Sequence, residues 1–303
     1  MIKNRTIVPL SFLLAIFCTL FSSGIIRHDI PEEAYFELAA QPQFDCVGKV
    51  KSNSTSASCV LISPRHVLTA AHIFKETETR PDTMEFQGQT VVVYRPVRSW
   101  IGDVETYTFS WNGVIRRGTR LSLHPSYTDS TAAHRVDLAI VELATPIASI
   151  APATLNTTAT ELGAKAVGVG YGAYIIADQP ENADTSGRKV AGMNTIDQFS
   201  GPSISTPEGP IQTSLVADFD HPDDNSCCNK MGDATPLPLE YATTGGDSGG
   251  GLFVQNGQEW QLVGITAQAS FDVNELMLHG YYGMTSSWTR IAAYLPWIEA
   301  QKR

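Results

Sequence analysis

The segment YATTGGDSGGGLF, residues 241–253, places Ser248 beside Asp247 in a run rich in glycine. A serine hydroxyl is a poor nucleophile at neutral pH, so it needs a base to take its proton and a third group to orient that base. Glycines around such a serine allow a sharp turn that leaves backbone N–H groups free to stabilise an oxyanion. A tight surface turn is the alternative interpretation. The segment therefore indicates a nucleophile loop only if the chain also supplies a base and an acid.

A candidate base and a candidate acid both lie upstream of this serine. His72 ends the apolar run VLTAAH (67–72), after two alanines that are small enough for close approach. Asp137 opens the apolar run DLAIVEL (137–143), where an acid is either a surface cap or a carboxylate drawn toward a buried partner. Each residue alone is more typical of a structural role. Together with Ser248 they would supply the base, the orienting acid and the nucleophile of one reaction.

The motifs LTAAH, DLAIVEL and GDSGG, in that order, closely resemble those of the trypsin/chymotrypsin family of serine proteases. Weaker matches occur at LHPSY (123–127), GVGYG (168–172), WQLVGI (260–265) and WTRIAAYLPWI (288–298). The resemblance implies an all-β fold of two six-stranded Greek-key β-barrels with a short C-terminal helix. It also implies a serine endopeptidase with its active site in the cleft between the barrels, where the first barrel supplies the histidine and the aspartate and the second supplies the serine.

The same resemblance implies roles for the residues around the serine. The N–H groups of Gly246 and Ser248 would form the oxyanion hole. Asp247 would pair with the free α-amino group of the mature N-terminus. Enzymes of this kind usually begin with Ile-Val-Gly-Gly, and the nearest equivalent here is IIRHD (25–29), which keeps two branched apolar residues and loses both glycines. Ile25 is therefore the expected partner of Asp247.

The first residues have the pattern of a secretion signal. Lys3 and Arg5 precede a mostly apolar run over 7–21, and the small residues 22–24 follow it. The run is shorter than the ~20 residues that a membrane-spanning helix needs, although an uncleaved anchor remains an alternative. We therefore predict a signal peptide over 1–24 and a secreted, periplasmic or extracellular protein. Cleavage after Gly24 would itself create Ile25 as the N-terminus; cleavage at another position is the alternative.

The mature chain is predicted to fold as an N-terminal barrel over 25–150 and a C-terminal barrel over 151–303. Short apolar and β-branched runs separated by turn residues recur along it, which is typical of an all-β protein. Examples are CVGKV (46–50), CVLIS (59–63), TVVVYRPV (90–97), DLAIVEL (137–143), KAVGVGYG (165–172) and QLVGITAQ (261–268). Helical periodicity is weak until the C-terminal stretch, where Pro296 should lie in the first turn of a helix or break it. The stretches 178–188 and 221–238 are expected to be long loops.

Composition excludes several other classes of protein. The 303 residues carry a net charge of −10, with 43% hydrophobic and 17% charged residues, which indicates a globular chain. No basic patch suggests nucleic-acid binding, so polypeptide substrates are the expected partners. No Cys-x-x-Cys pair or histidine cluster suggests zinc, and we predict neither a metal nor a cofactor. No stable membrane insertion is expected once the signal is removed.

Four of the five cysteines lie beyond the signal. Cys46 and Cys59 fall on two consecutive predicted strands, so a hairpin would bring them within reach of a disulfide; a buried free pair is the alternative. Cys227 and Cys228 are adjacent, and the sequence does not assign their state.

The primary substrate pocket is inferred by alignment with the family. The residue at its base would be Ala242, where enzymes that cut after Lys or Arg carry Asp, and its walls would include Ala269 and Ser286. These side chains predict a small, uncharged pocket unless a carboxylate such as Asp272 enters it. A second class of function is also open, namely a binding or regulatory protein with a protease fold and weak catalysis. The altered N-terminus and pocket favour that alternative, while the three reactive residues favour an enzyme.

Overall fold

The computed structural model describes residues 23–303 apart from 87–88, 130, 133, 180–182, 207–208, 224–226 and 271–280. Strands dominate this part of the chain. The strands up to residue 143 are β1 (Ser23–Ile26), β2 (Val47–Lys51), β3 (Ser56–Ser63), β4 (His66–Thr69), β5 (Lys75–Phe86), β6 (Gln89–Ile101), β7 (Thr108–Trp111), β8 (Val114–Leu123) and β9 (Ala139–Leu143). Those that follow are β10 (Thr154–Leu155), β11 (Lys165–Gly170), β12 (Ala173–Ile176), β13 (Val190–Thr195), β14 (Gln198–Thr206), β15 (Gly209–Asp218), β16 (Tyr241–Ala242), β17 (Gly251–Asn256), β18 (Glu259–Ser270) and β19 (Thr285–Arg290).

The first barrel is closed by six strands in the order β2-β3-β4-β9-β8-β7. Its strands are rich in Val, Leu and Ile, and β3 is buried over nearly its whole length. Ser58 of β3 also bonds to the loop that carries Ser248, so this strand faces the second barrel. Trp111 and Phe109 are fully buried in its core. Trp111 also donates a hydrogen bond from Nε1 to the carbonyl of Cys46 at 2.9 Å, which satisfies the indole N–H inside the core.

The second barrel contains six strands in the order β13-β11-β17-β18-β19-β15, and β14 and β10 extend the same sheet. Side-chain and backbone bonds join the two ends of this order: Asn194 Nδ2 donates to the carbonyl of Asp218 at 2.7 Å. Leu215, Leu252 and Trp288 are buried in its core. The all-β class, the two barrels and the short terminal helix that the sequence predicted are thus confirmed.

The N-terminal strand β1 lies in a separate three-stranded sheet between β12 and β16. It runs parallel to β12 and antiparallel to β16, where Ile25 is paired with Ala242. Ile25 and Ile26 are almost completely buried. The segment that precedes the first barrel is therefore inserted between two strands of the C-terminal half of the chain.

The hairpin of β5 and β6 is longer than the sequence predicted, since only 90–97 was expected to form a strand. Its two strands pair with each other and with no other described strand. Several of its apolar side chains are exposed, including Val92 and Tyr94. A free two-stranded ribbon has no core in which to bury these side chains. The alternation of buried and exposed residues by which strands are usually identified is therefore weak over this segment.

Helices are few, and two differ from expectation. Helix α1 (Glu32–Ala39) was not predicted; its burial is limited to Tyr35 and Ala39, so it lacks a wide apolar stripe. A short helical turn, α2 (Pro125–Thr128), precedes β9. Helix α3 (Ile291–Gln301) contains Pro296 in its interior, which contradicts the prediction of a first-turn or breaking position. Pro296 lies on the exposed side, where water can satisfy the carbonyl that loses its partner.

The cysteines contradict one expectation and resolve an open question. Cys46 and Cys59 are buried free thiols, so the expected disulfide between them is not formed. The strand register explains this: Cys59 lies opposite Gly48, and Cys46 lies opposite Leu61, so the two cysteines are diagonal rather than facing. Burial raises the pKa of Cys46 to about 12, which keeps it protonated and unreactive. Cys227 and Cys228 form a disulfide with each other.

Candidate active site

His72 is placed by the end of strand β4. The chain leaves β4 at Thr69 and enters a short 3-10 turn over Ala71–Phe74, which carries the histidine. Ala70 and Ala71 are fully buried, so the chain packs closely against the barrel before the imidazole emerges. The backbone N–H of His72 donates to Asp137 Oδ1 at 2.8 Å, which fixes the turn to the acid.

Asp137 lies two residues before β9, between the buried side chains of Val136 and Leu138. Strand β9 is antiparallel to β4, with Thr69 opposite Ala139. The C-terminal end of β4 and the N-terminal end of β9 therefore meet at one edge of the barrel. This pairing places Asp137 Oδ2 2.6 Å from His72 Nδ1.

Ser248 comes from the second barrel and completes a continuous chain of hydrogen bonds. Its Oγ lies 2.8 Å from His72 Nε2, on the opposite side of the ring from Asp137. The loop that carries it turns sharply, with positive φ values at Gly246 (92°) and Gly249 (82°). A Cβ atom on Gly249 would stand 2.2 Å from the carbonyl of Ser58, so no other residue fits there. The structure thus brings together all three reactive residues that the sequence indicated.

The electrostatics suit proton transfer through the imidazole. Burial alone would lower the pKa of His72, but the hydrogen bond and the negative charge of Asp137 outweigh it and raise that pKa above its ordinary value. The histidine is therefore a stronger base than an isolated one. A bond from Nδ1–H to Asp137 leaves the Nε2 lone pair directed at Ser248, which is the tautomer that a general base requires.

The two N–H groups assigned to the oxyanion hole are available for a ligand. Within the described part of the chain, neither Gly246 nor Ser248 donates its N–H to a protein acceptor. Their carbonyl groups, in contrast, accept hydrogen bonds from Ser58 of the first barrel. Free donors beside a serine nucleophile can stabilise the negative charge of a tetrahedral intermediate.

Asp247 lies buried beside Gly170 and Gly172, at the end of β11 and in the turn that follows it. It is 2% exposed and accepts hydrogen bonds from the backbone N–H groups of Gly172 at 3.0 Å and Thr244 at 3.3 Å. Burial raises its pKa to about 7. The inserted strand β1 passes beside it: a Cβ atom on Gly24 would stand 3.0 Å from Asp247 Oδ2. Ile25, the expected partner, is the next residue.

A cavity of about 280 Å³ opens beside His72 and Ser248. Residues 243–245, 266–269, Tyr281 and Met284 also line it, and apart from His72 no acidic or basic side chain is among its described lining residues. Ala269 lines the cavity as expected. Ala242 does not, because it is fully buried in β16 against Ile25. Ser286 does not either; it is buried, and its Oγ accepts the N–H of Thr243. Asp272 falls outside the described residues.

Sequence reasoning missed the residues that do line this cavity, notably Thr243, Tyr281 and Met284. Thr243 could have been identified from the sequence, since it directly follows Ala242, which was aligned to the base of the pocket. Tyr281 and Met284 lie outside the short motifs that carry the resemblance, so the sequence offered no signal for them. A second groove extends past Asp137, between residues 134–137 and 213–214.

Comparison with known proteins defines the class of protein. The family model described as Trypsin matches residues 37–298, and the chain therefore belongs to the trypsin family of serine proteases. No curated protein matches the sequence significantly. Among solved structures, the chain is similar to mouse neuropsin, described as a serine protease expressed in the limbic system of mouse brain. That match has a TM-score of 0.54 and 18% identity, and it covers 92% of this chain and 100% of the other. It supports the fold. No helix in the described residues is long and apolar enough to cross a membrane.

Proposed function

We propose that this trypsin-family chain is an exported serine endopeptidase that cleaves peptide bonds through His72, Asp137 and Ser248. The observation that carries the proposal is the unbroken hydrogen-bond chain from Asp137 Oδ2 through both ring nitrogens of His72 to Ser248 Oγ. A purely structural histidine has no need of a serine hydroxyl on one nitrogen and a carboxylate on the other. This arrangement supports nucleophilic catalysis.

The geometry supports the following sequence of steps. His72 Nε2 takes the proton of Ser248 Oγ as the oxygen attacks the scissile carbonyl carbon. The carbonyl oxygen becomes an oxyanion, which the N–H groups of Gly246 and Ser248 stabilise. The imidazolium, stabilised by Asp137, then gives its proton to the leaving amine, and an acyl-enzyme remains. Water hydrolyses this ester by the same proton transfers.

Maturation is proposed to follow signal removal. Residues 1–24 serve as the signal peptide, and cleavage after Gly24 frees the α-amino group of Ile25 beside Asp247. The burial of β1 next to that carboxylate supports this assignment. Amino-terminal sequencing of the active, secreted protein tests it: a start at Ile25 is expected, and a different first residue rejects direct activation. The barrels are assigned to 25–150 and 151–303, and the protein acts outside the cytoplasm.

The cavity favours an uncharged residue before the scissile bond. Burying a Lys or Arg side chain without a counter-charge is costly, and no described lining residue supplies one. Matched peptide substrates that differ only at this residue provide the test. Faster cleavage after Ala, Val or Leu than after Arg is expected, whereas faster cleavage after Arg means that a carboxylate such as Asp272 reaches the cavity.

A fluorophosphonate probe tests the function itself. Such a probe phosphonylates a serine whose hydroxyl is activated by a neighbouring base. Labelling of Ser248 in the wild-type protein and none in Ser248→Ala is the expected result. Absence of labelling together with absence of peptide hydrolysis would favour the alternative, a protease-fold protein that binds or regulates and cleaves little.

A further inference from the structure

Ser58 lies at the contact between the two barrels, although it is remote in sequence from the nucleophile loop that it contacts. It belongs to β3 of the first barrel and is fully buried. Its backbone N–H donates to the carbonyl of Ser248 at 2.9 Å. Its hydroxyl donates to the carbonyl of Gly246, also at 2.9 Å. One residue of the first barrel thus binds two carbonyl groups of the nucleophile loop.

The direction of the hydroxyl proton is fixed by a third hydrogen bond. The backbone N–H of Tyr171 donates to Ser58 Oγ at 2.8 Å, so this oxygen is the acceptor in that contact. The proton of the hydroxyl is then free to bind the Gly246 carbonyl, which can only accept. The next residue, Gly172, donates its own N–H to Asp247 Oδ1 at 3.0 Å. Adjacent N–H groups of one segment therefore hold both Ser58 and Asp247.

Gly246 is a loop residue whose conformation needs such a restraint. Its φ of 92° lies in the region that glycine alone occupies readily, and a residue without a Cβ atom rotates freely about its backbone bonds. An oxyanion hole requires its donors to be held in place before the reaction, because reorganisation during the reaction has an energetic cost. A hydrogen bond that fixes the Gly246 carbonyl also restrains the orientation of the neighbouring peptide groups.

We propose that Ser58 is a positioning residue of the oxyanion hole: its hydroxyl holds the Gly246 carbonyl so that the Gly246 N–H faces the reacting carbonyl oxygen. This inference rests on the proposed peptidase function. Ser58 does not touch the substrate. It acts from the first barrel, so the alignment of the hole depends on how the two barrels meet.

Ser58→Ala in the mature enzyme is the direct test, with rates expressed per site titrated by a fluorophosphonate. Removing one complete oxyanion donor lowers kcat by about 10² to 10³, and loosening a donor should cost less, so kcat is expected to fall about 10- to 100-fold. KM should stay within about twofold, because the ground state hardly uses the hole. Affinity for a peptide boronic acid, which places an oxygen in the hole, should fall in parallel with kcat/KM.

The matched control is Ser63→Ala, which removes a hydroxyl from the other end of the same strand, where it contacts His66. Its kcat and KM should equal those of the wild type. A loss of thermal stability in Ser58→Ala with unchanged kcat and unchanged boronic acid affinity would overturn the proposal. If Ser58→Ala does not fold, Ser58→Cys replaces it, since a thiol is a weak donor and should lower kcat in the same way.

The outcomes separate this inference from the proposed function. A wild-type protein that neither reacts with the fluorophosphonate nor cleaves peptides rejects the peptidase function and the inference together. An active wild-type enzyme with an equally active Ser58→Ala variant rejects the role of Ser58 alone.

Discussion

Asp137 and Asp247 occupy similar positions beside the reactive residues, yet their surroundings are opposite. Asp137 accepts hydrogen bonds from the backbone N–H and the ring Nδ1 of one residue, His72. Asp247 is almost completely buried and, within the described chain, accepts only from backbone N–H groups. The first carboxylate has a side-chain partner that the fold provides. No cation lies beside the second among the described residues, and burial raises its pKa to about 7.

This difference separates two kinds of preparation for catalysis. The contact of His72 with Asp137 is formed within one closed barrel and exists before any processing of the chain. The environment of Asp247 includes strand β1, so under the proposed maturation its charge state would depend on where the mature chain begins. The base is therefore built by folding, whereas the oxyanion loop would be completed by the proposed maturation.

The largest expected loss of kcat comes from substitutions in the hydrogen-bonded group of His72 and Ser248, which folding alone assembles. Ser248→Ala and His72→Ala should each lower kcat by a factor on the order of 10⁶, since both residues share one proton transfer. The double variant should lose little more than either single variant. Steady-state kinetics of the three proteins provide the measurement, and circular dichroism checks that the fold survives.

Independence of the two residues would contradict this expectation. If the losses of the single variants multiplied in the double variant, the 2.8 Å contact between His72 Nε2 and Ser248 Oγ would not be part of the reaction. Ser63→Ala, whose hydroxyl is distant from the site, serves again as the control.

Asp137→Asn should produce the next largest effect, a loss of roughly 10⁴ in kcat near neutral pH. The amide keeps the shape of the side chain, but it donates a hydrogen to His72 Nδ1 and so favours the wrong tautomer. It also removes the charge that raises the pKa of His72. The pH–rate profile should therefore show the histidine titrating at a lower pH in the variant. A profile identical to that of the wild type would mean that Asp137 does not act on the imidazole.

Asp247 should give a smaller effect that depends on the chain end. Asp247→Asn cannot pair with an ammonium group, so the loop that presents Gly246 and Ser248 N–H should loosen and kcat/KM should fall by about 10² to 10³, the range for a lost oxyanion donor. Adding one residue before Ile25 should produce a loss of similar size, because it moves the charge away from Asp247. Kinetics of both variants, with Glu33→Gln as a control that removes an exposed carboxylate near the same chain end, would measure this. Full activity of the variant with the extended N-terminus would show that Asp247 does not depend on the chain end, and that it does not differ from Asp137 in this respect.

His72, Asp137 and Ser248 could be predicted from the sequence because each lies in a short motif whose neighbouring residues suit the same catalytic role. The glycines around Ser248 and the alanines before His72 are local signals of close backbone approach. The hairpin of β5 and β6 was predicted only over 90–97, since its exposed apolar residues do not alternate with burial. Ser58 carried no local signal at all, because its role arises from contact between barrels. The register that separates Cys46 from Cys59 was likewise a property of strand pairing rather than composition.

The smallest expected effect concerns carboxylates whose partners are other carboxylates. Asp218 is 2% exposed and accepts the N–H groups of Lys230 and Met231 on Oδ2. Burial and the adjacent charge of Asp218 raise the pKa of Asp197 to about 7. Because this folded pKa lies above the unfolded value, the proton on Asp197 stabilises the fold fully below about pH 4, and that contribution is lost as the pH rises through about 7.

Asp197→Asn should remove part of this dependence, because the amide cannot ionise and can donate to Asp218. In a Ser248→Ala background, which prevents self-cleavage, the wild-type free energy of unfolding should fall between pH 5 and pH 8 by on the order of 1 kcal/mol more than that of the variant. Urea unfolding at the two pH values measures the difference.

Burial also raises the pKa of Asp220 to about 7, so some dependence should remain in Asp197→Asn. Glu33→Gln, which removes an exposed carboxylate from α1, should leave the wild-type slope intact. Equal slopes in Asp197→Asn and the wild type would show that Asp197 does not change its protonation between pH 5 and pH 8, which contradicts the prediction.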